Sequence, residues 1–372
     1  MRRALVLALG TALVTTGLGP AVQAQTLSPT ATESSAPPPG WKRPRTAWGH
    51  PDLSGHWSNA TMTPFTRNSR LSNKAVLSAE EARAMEKVWV DALAEANEPT
   101  DPDAATETTQ ADVNRSKLLE FRPDFAAAGG DVGGYNTFWI DPGTSILEIN
   151  GEYRTSIVTT ANGQPPARKP GAKLPSGFGQ YRDVYDSYET RSLGERCITG
   201  FGRNTGPPML PNGYYNNGYQ IIQTPDAVVI EVEMIHDTRI VRLEGGHRTD
   251  GVRPWMGDSI GRYEGDTLVV ETTNIPERQH FYGAWKNLKV TEWFTRLSPT
   301  RIHYRFQVED PDHWEQPWGG EYAFTPMKGR IYEYACHEGN YSLPGILGGA
   351  RQQEKEAAEA AASKPGPKSG AD

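Results

Sequence analysis

Four short segments of this chain hold side chains that can carry a proton or bind a ligand at close spacing. The first is Glu231-Val232-Glu233-Met234-Ile235-His236-Asp237-Thr238-Arg239. Glu231 and Glu233 are two residues apart, so an extended chain puts both on one face. Turned into a confined space, two carboxylates are pushed up in pKa by desolvation and like charge, as acid–base catalysis requires. His236 and Asp237 follow in the turn, and Arg239 adds a cation that can orient them or bind an anion. Turned outward, the same glutamates lie on a solvated face and His236 sits at a hairpin tip. The second segment is Tyr334-Ala335-Cys336-His337-Glu338-Gly339-Asn340-Tyr341. The third runs from Leu193 to Gly218 and includes Arg196, Cys197, Tyr214 and Asn217. Its Gly, Pro, Asn and Tyr content rules out regular structure and predicts a long ordered loop, a common home for function. The fourth is a Pro/Gly loop in which Trp255 can cover a pocket mouth. The candidate proton carriers are His236, Asp237, Glu233 and His337. The candidate substrate contacts are Tyr214, Asn217, Arg239, Trp255, Glu338 and Arg196.

The two cysteines decide how these segments meet. An even count in an exported chain favours a disulfide between Cys197 and Cys336. Two buried thiols, or one reactive or metal-bound thiol, are the rival readings. If the disulfide forms, His337 and Glu338 come beside Arg196, Tyr214 and Asn217. An ion pair between Glu338 and Arg196 is the plain structural alternative. His236, Asp237, His337 and Glu338 are chemically suited to zinc or iron, but nothing fixes their distances, so no metal is expected. Asp310-Pro311-Asp312-His313 only loosely matches a calcium loop. Trp314 and Trp318, flanked by Pro311 and Pro317, can form a ligand-stacking wall. The chain lacks a G-x-S-x-G elbow, a P-loop, a dinucleotide fingerprint and H-E-x-x-H. No cofactor is expected.

The elements that must position these groups follow from the pattern. The chain has 372 residues, a net charge of −7, 38 Gly and 29 Pro. The acidic balance argues against a nucleic-acid partner, and the Gly and Pro content favours many turns over long helices. Residues 1–24 read as a cleaved export signal: Met1-Arg2-Arg3, an apolar run, then Val22-Gln23-Ala24. No other run is long enough to span a membrane. Residues 25–47 are a Pro/Ser/Thr leader expected to be disordered, and residues 350–372 a charged flexible tail in which a frayed helix is expected. Between them, residues 48–135 form a helix-containing extension. Its helix starts at a capping box, Ser78 with Glu81, and carries Ala82, Met85, Trp89 and Leu93 at helical spacing.

From residue 136 to 349 the pattern is that of short strands rich in Val, Ile, Tyr and Thr, with candidates at 136–140, 155–160, 219–223, 227–235, 238–243, 259–264, 267–273, 288–296, 300–308, 319–325 and 329–335. Ile302, Tyr304, Phe306 and Val308 alternate strictly with Arg301, His303, Arg305 and Gln307, so the two faces of that strand meet different environments. Successive hairpins without helices between them predict a mainly β domain. We expect an antiparallel meander closed as a lipocalin- or calycin-like barrel, with a β-sandwich as the alternative.

Several of these pieces resemble a group of exported bacterial proteins of unassigned function. They are Leu193-Gly194-Glu195-Arg196-Cys197, Gly213-Tyr214-Tyr215-Asn216-Asn217, Glu233-Met234-Ile235-His236-Asp237, Glu264-Gly265-Asp266-Thr267-Leu268-Val269-Val270-Glu271-Thr272-Thr273 and the segment Tyr334 to Tyr341, and Gly49-His50-Pro51-Asp52-Leu53-Ser54-Gly55-His56-Trp57 looks like the start of the same pattern. The resemblance implies export, periplasmic or secreted, and no particular reaction. The expectation is an exported enzyme of lyase, isomerase or hydratase type, acting on an apolar or aromatic small molecule without a redox cofactor. The alternatives are a non-catalytic carrier or sensor and a structural envelope protein.

Overall fold

The computed structural model describes residues 38–71, 74–95, 141–176, 184–213, 215–327 and 329–363. The export signal, most of the leader, the expected strand at 136–140, Tyr214 and the last nine residues lie outside the described residues.

Among the described residues, nine strands close into a barrel. They are β1 (Gly55–Ser58), β5 (Gly218–Gln223), β6 (Ala227–Val232), β7 (Thr238–Arg242), β8 (Asp258–Glu264), β9 (Thr267–Thr273), β10 (Lys289–Ser298), β11 (Arg301–Glu309) and β12 (Trp318–Pro326). Neighbours run antiparallel except β7 and β8, which pair in parallel through Val241 with Ser259 and Arg242 with Ile260. The parallel pair requires a crossover, and residues 243–257 supply it. β1 closes the barrel by pairing with both β5 and β12. The barrel therefore takes a strand from the stretch read as an N-terminal extension, and its boundary is not at residue 136. A four-residue strand beginning with glycine carries too little pattern to be seen in sequence.

The alternation on β11 is realised in full: Ile302, Tyr304, Phe306 and Val308 face inward and are buried. Register places Trp57, Tyr219, Val232, Ile230, Val270, Phe294, Tyr322 and Phe324 in the same interior. Side chains of this size fill the lumen, as expected for a small barrel.

The helix α1 (Ala79–Glu95) starts at the expected box. Glu81 N–H donates to Ser78 Oγ at 3.1 Å and Ser78 N–H donates to Glu81 Oε2 at 2.8 Å. Its Ala82, Trp89 and Leu93 pack with Met62, Leu77, Ile146 and Tyr153 in a second, smaller core. That core lies against a three-stranded sheet of β2 (Val76–Leu77), β4 (Glu152–Arg154) and β3 (Glu148–Ile149). The expected strands at 155–160 and 329–335 are extended coil, the first tied to the barrel by a single bridge between Val158 and Gly320. Residues 342–362 form a second helix, α2 (Ser342–Ala362), which begins eight residues before the stretch where a frayed helix and loose tail are expected. Its Glu, Lys, Gln and Ala content is strongly helix-forming, and among its side chains only Ala350 is buried.

Candidate functional site

The barrel has a tight end and a loop end. At the tight end, short turns join β5 to β6, β8 to β9 and β10 to β11. At the loop end, residues 233–237 lead from β6 to β7, 274–288 from β9 to β10 and 310–317 from β11 to β12. The long loop before β5 folds into this end as a plug. Its Met209 is fully buried. Met209 N–H donates to Tyr304 Oη at 3.0 Å, and Tyr322 Oη donates to the Met209 carbonyl at 2.9 Å.

Beneath the plug, Arg239 on β7 reaches across the lumen to Glu292 on β10. Two guanidinium bonds of 2.6 and 3.0 Å hold the carboxylate, and Tyr304 Oη donates a third at 2.7 Å. Neither charged side chain meets solvent. Burial alone lowers the Arg239 pKa, but the charge and hydrogen bonds of Glu292 overcome it and hold Arg239 above its ordinary value. Burial also raises Tyr304 and Tyr322 well above the usual phenol range, so both stay protonated donors. Asn59 ties the layer together with bonds to Tyr219 Oη at 3.0 Å and Tyr322 Oη at 3.2 Å. This network is structural. Arg239 is committed to Glu292 and is not placed to meet a substrate. The sequence offered no sign of this, because its partner lies 53 residues away.

The rim is different. Val228, Ile230 and Val232 point inward, so Glu231 points outward from β6; the barrel interior is not its environment. Cross-strand pairing sets Glu231 beside Gln220 on β5, and Gln220 beside His56 on β1. After β12 the chain runs over this row. His56, Gln220, Glu231, His236, Arg330, Ile331, Tyr332 and Glu333 line a cleft of about 340 Å³. Tyr334 N–H donates to His236 Nε2 at 2.9 Å, which leaves Nδ1 to carry the proton of the neutral ring.

The chain that presents His236 is strained. Ile235 has φ 63° and His236 φ 54°, two successive left-handed residues, one of them β-branched. Such conformations persist only where their surroundings impose them, and they concentrate at functional sites. Two acidic groups flank the turn. Burial pushes the Asp237 carboxyl up to about 6, and its Oδ2 is buried with no hydrogen-bond partner. Burial also raises Glu233, with the Asp141 charge adding to it, against hydrogen bonds from the Gly218 and Tyr332 backbone and the Asn216 side chain. Gly218 is what permits that approach, since a Cβ there would lie 2.8 Å from Glu233 Oε2. Glu231 and Glu233 therefore do not act as a facing pair on one strand face; the raised carboxyls are Glu233 and Asp237, which flank His236 in sequence and, unlike Glu231 and His236, do not line the cleft.

Cys197 and Cys336 are joined, closing a separation of 139 residues. The bond anchors the strap that crosses the cleft. Asn340 Nδ2 supports it by donating to the Glu195 carbonyl at 2.8 Å. His337 and Glu338 lie exposed in the turn after Cys336 and do not line the cleft. Arg196 stacks over Tyr188 at 5.4 Å. Asn217 is buried, with its Nδ2 donating to the Asp141 carbonyl and its Oδ1 accepting from Asn212 N–H, each at 2.8 Å. It shapes the plug. Trp255 is exposed in the β7–β8 crossover and does not line the cleft. His56, Gln220, Arg330, Ile331, Tyr332 and Glu333 are the cleft residues that sequence reasoning missed. His56 sits in the Gly55–Ser58 strand, a stretch whose sequence carries a resemblance but no strand signal. Among the described residues no cluster of His, Cys, Asp and Glu is suited to a metal ion, and no helix is long and apolar enough to cross a membrane.

No family model matches this chain, and no curated protein matches it. Among solved structures it is similar to a mutant of the fluorescent protein UnaG. The two share 12% identity over 30% of this chain and 72% of that one, with a TM-score of 0.21.

Proposed function

We propose that this protein is an exported enzyme that moves a proton on a small polar molecule held in the rim cleft. One observation carries the reading: a strained turn sets His236 in the cleft wall, and the two carboxyls that flank it in sequence, Glu233 and Asp237, lie behind the cleft lining with raised pKa values, one with a buried oxygen that nothing satisfies. Asp237, with a pKa near 6, is matched to giving and taking protons near neutral pH. His236 is the second carrier. The reaction type remains that of a lyase, isomerase or hydratase, since these need proton transfer and no redox group. The substrate class moves from apolar to polar. The lumen is packed with side chains, while two histidines, two glutamates, Gln220 and Arg330 line the cleft. The export reading is supported by the disulfide, which persists in oxidising compartments.

The test is hydrogen exchange at carbon. The protein is incubated in D2O with a panel of small hydroxy and keto acids, and each compound is weighed by mass spectrometry. The expected result is deuterium entering at least one compound, lost in both His236→Ala and Asp237→Asn. Binding without exchange would favour a carrier, and neither binding nor exchange a structural role.

A further inference from the structure

The strap between β12 and α2 is built unlike the barrel it crosses. Residues 329–335 pair with no strand, and Arg330, Tyr332, Glu333 and Ala335 are exposed. Its two ends are anchored. Met327 N–H donates to the His56 carbonyl at 3.0 Å, and Cys336 is joined to Cys197 in the plug loop. Gly329, at φ 102°, turns the chain near the first anchor, and a Cβ there would meet nothing within 4 Å. A segment with few buried contacts and no ladder bonds lies at the low end of local stability, where moving parts are found.

Between its anchors the strap touches the turn that handles protons. Tyr334 N–H donates to His236 Nε2 at 2.9 Å, and the Tyr332 backbone donates to the Glu233 carboxyl. Amides two residues apart on an extended chain point the same way, so one edge of the strap serves both groups. The Tyr334 ring packs against the barrel core and seats that edge. A neutral imidazole has one acceptor nitrogen. At His236 it is Nε2, and the strap occupies it. The ring has no lone pair for a proton from a bound molecule while Tyr334 N–H stays in place.

We propose that the strap is an autoinhibitory latch: Tyr334 N–H caps His236, and the strap must lift between its anchors before the cleft can transfer a proton. The functional weight of the latch rests on the reading of His236 as a proton carrier. The disulfide holds the far end down and limits the lift. A molecule that enters the cleft and offers Nε2 a hydrogen of its own replaces the bond that lifting costs, so it shifts the strap toward the open state. A molecule that offers only acceptors leaves the latch shut.

The probe is diethyl pyrocarbonate, an electrophile that acylates the free lone pair of a neutral imidazole, with His236 modification followed by peptide mass spectrometry. Tyr334→Pro deletes the N–H. Tyr334→Ala loses the same ring and keeps the N–H. The expected result is His236 modified at least about fivefold faster in Tyr334→Pro than in Tyr334→Ala, the scale of one neutral hydrogen bond. Equal rates in the two variants would overturn the latch. Reducing the parent with dithiothreitol is expected to speed modification as well, and an unchanged rate would overturn the disulfide as what holds the strap down. His247 and His303, paired with carboxylates elsewhere on the barrel, serve as standards for an intact fold. Where Tyr334→Pro disturbs them, the reduction arm decides. Labelling needs no turnover, so the two readings fail separately. Labelling as expected with no deuterium exchange at carbon would overturn the proton-carrier reading and leave the latch. Exchange no faster in Tyr334→Pro than in Tyr334→Ala would overturn the latch alone.

Discussion

Glu292 and Asp237 are both acidic, both withdrawn from water and both part of one barrel, yet the fold treats them in opposite ways. Glu292 in the lumen receives two bonds from Arg239 and one from Tyr304. Asp237 on the rim has a buried oxygen that receives none. A buried charge is tolerated only when it is paired and hydrogen-bonded. The lumen meets that condition and gains a permanent cross-brace. The rim does not, so its carboxyl favours the protonated form and becomes able to exchange a proton. The contrast separates residues that hold the barrel from residues that can react on it, although Arg239 and Asp237 are two positions apart in sequence.

The largest effect should come from breaking the brace. Glu292→Ala leaves Arg239 buried and alone, and is expected to cost about 3–5 kcal/mol in urea unfolding. Replacing the pair together, Arg239→Met with Glu292→Leu, should recover most of that loss, because the partners and not the charges are what matter. A double variant as unstable as Glu292→Ala would contradict the brace.

Removing the disulfide with Cys197→Ala and Cys336→Ala should cost about 2–5 kcal/mol on loop-closure grounds. It also frees the strap that supplies the Tyr332 backbone bond to Glu233. The lumen brace should survive, since none of its bonds comes from the strap. Urea unfolding followed separately by tryptophan fluorescence and by the Glu233 carboxyl resonance checks both statements.

The rim should show itself through pH. The Asp237 pKa is about 6 in the folded state, above the roughly 3.9 of an unfolded aspartate. The folded state thus binds this proton more tightly. Its contribution to stability is fully present below about pH 4, is lost as pH rises through about 6, and does not return above that. Asp237→Asn cannot ionise. It should raise the melting temperature relative to the parent at pH 7.5 and leave it nearly unchanged at pH 4, while abolishing exchange. Lower stability at pH 7.5 would contradict the unpaired state of this carboxyl.

The smallest effect belongs to the tight end. Asp266 is exposed there and pairs with Arg45, also exposed, and with Arg43, which is mostly buried. Asp266→Ala should cost less than about 1 kcal/mol and lose its effect in high salt.

What the sequence disclosed tracks the range of the interaction. The β10–β11 hairpin was legible because period-two alternation is a local signal with one meaning. So was the capping box at Ser78 and Glu81. The disulfide was legible from parity and compartment. The orientation of β6 was not, because Glu231 and Glu233 alternate equally well in either register until the buried valines decide it. Nor was the use of Arg239, whose role depends on a glutamate three strands away. His236 and Asp237 were identified by type, but the strain beneath them, and the lack of any partner for Asp237 Oδ2, exist only in the folded chain. The burial of Asp310, His313, Trp314 and Trp318, a stretch whose sequence pointed to a loose calcium match and a ligand-stacking wall, likewise exists only in the folded chain.

The contrast between lumen and rim is tested most directly by a carbon-13 NMR titration of the aspartate carboxyls, with Asp237 assigned by its loss in Asp237→Asn. Asp237 is expected to titrate with a midpoint near pH 6. A midpoint at or below the ordinary aspartate value of about 3.9 would mean that the carboxyl is paired after all, and the rim would lose its proton carrier.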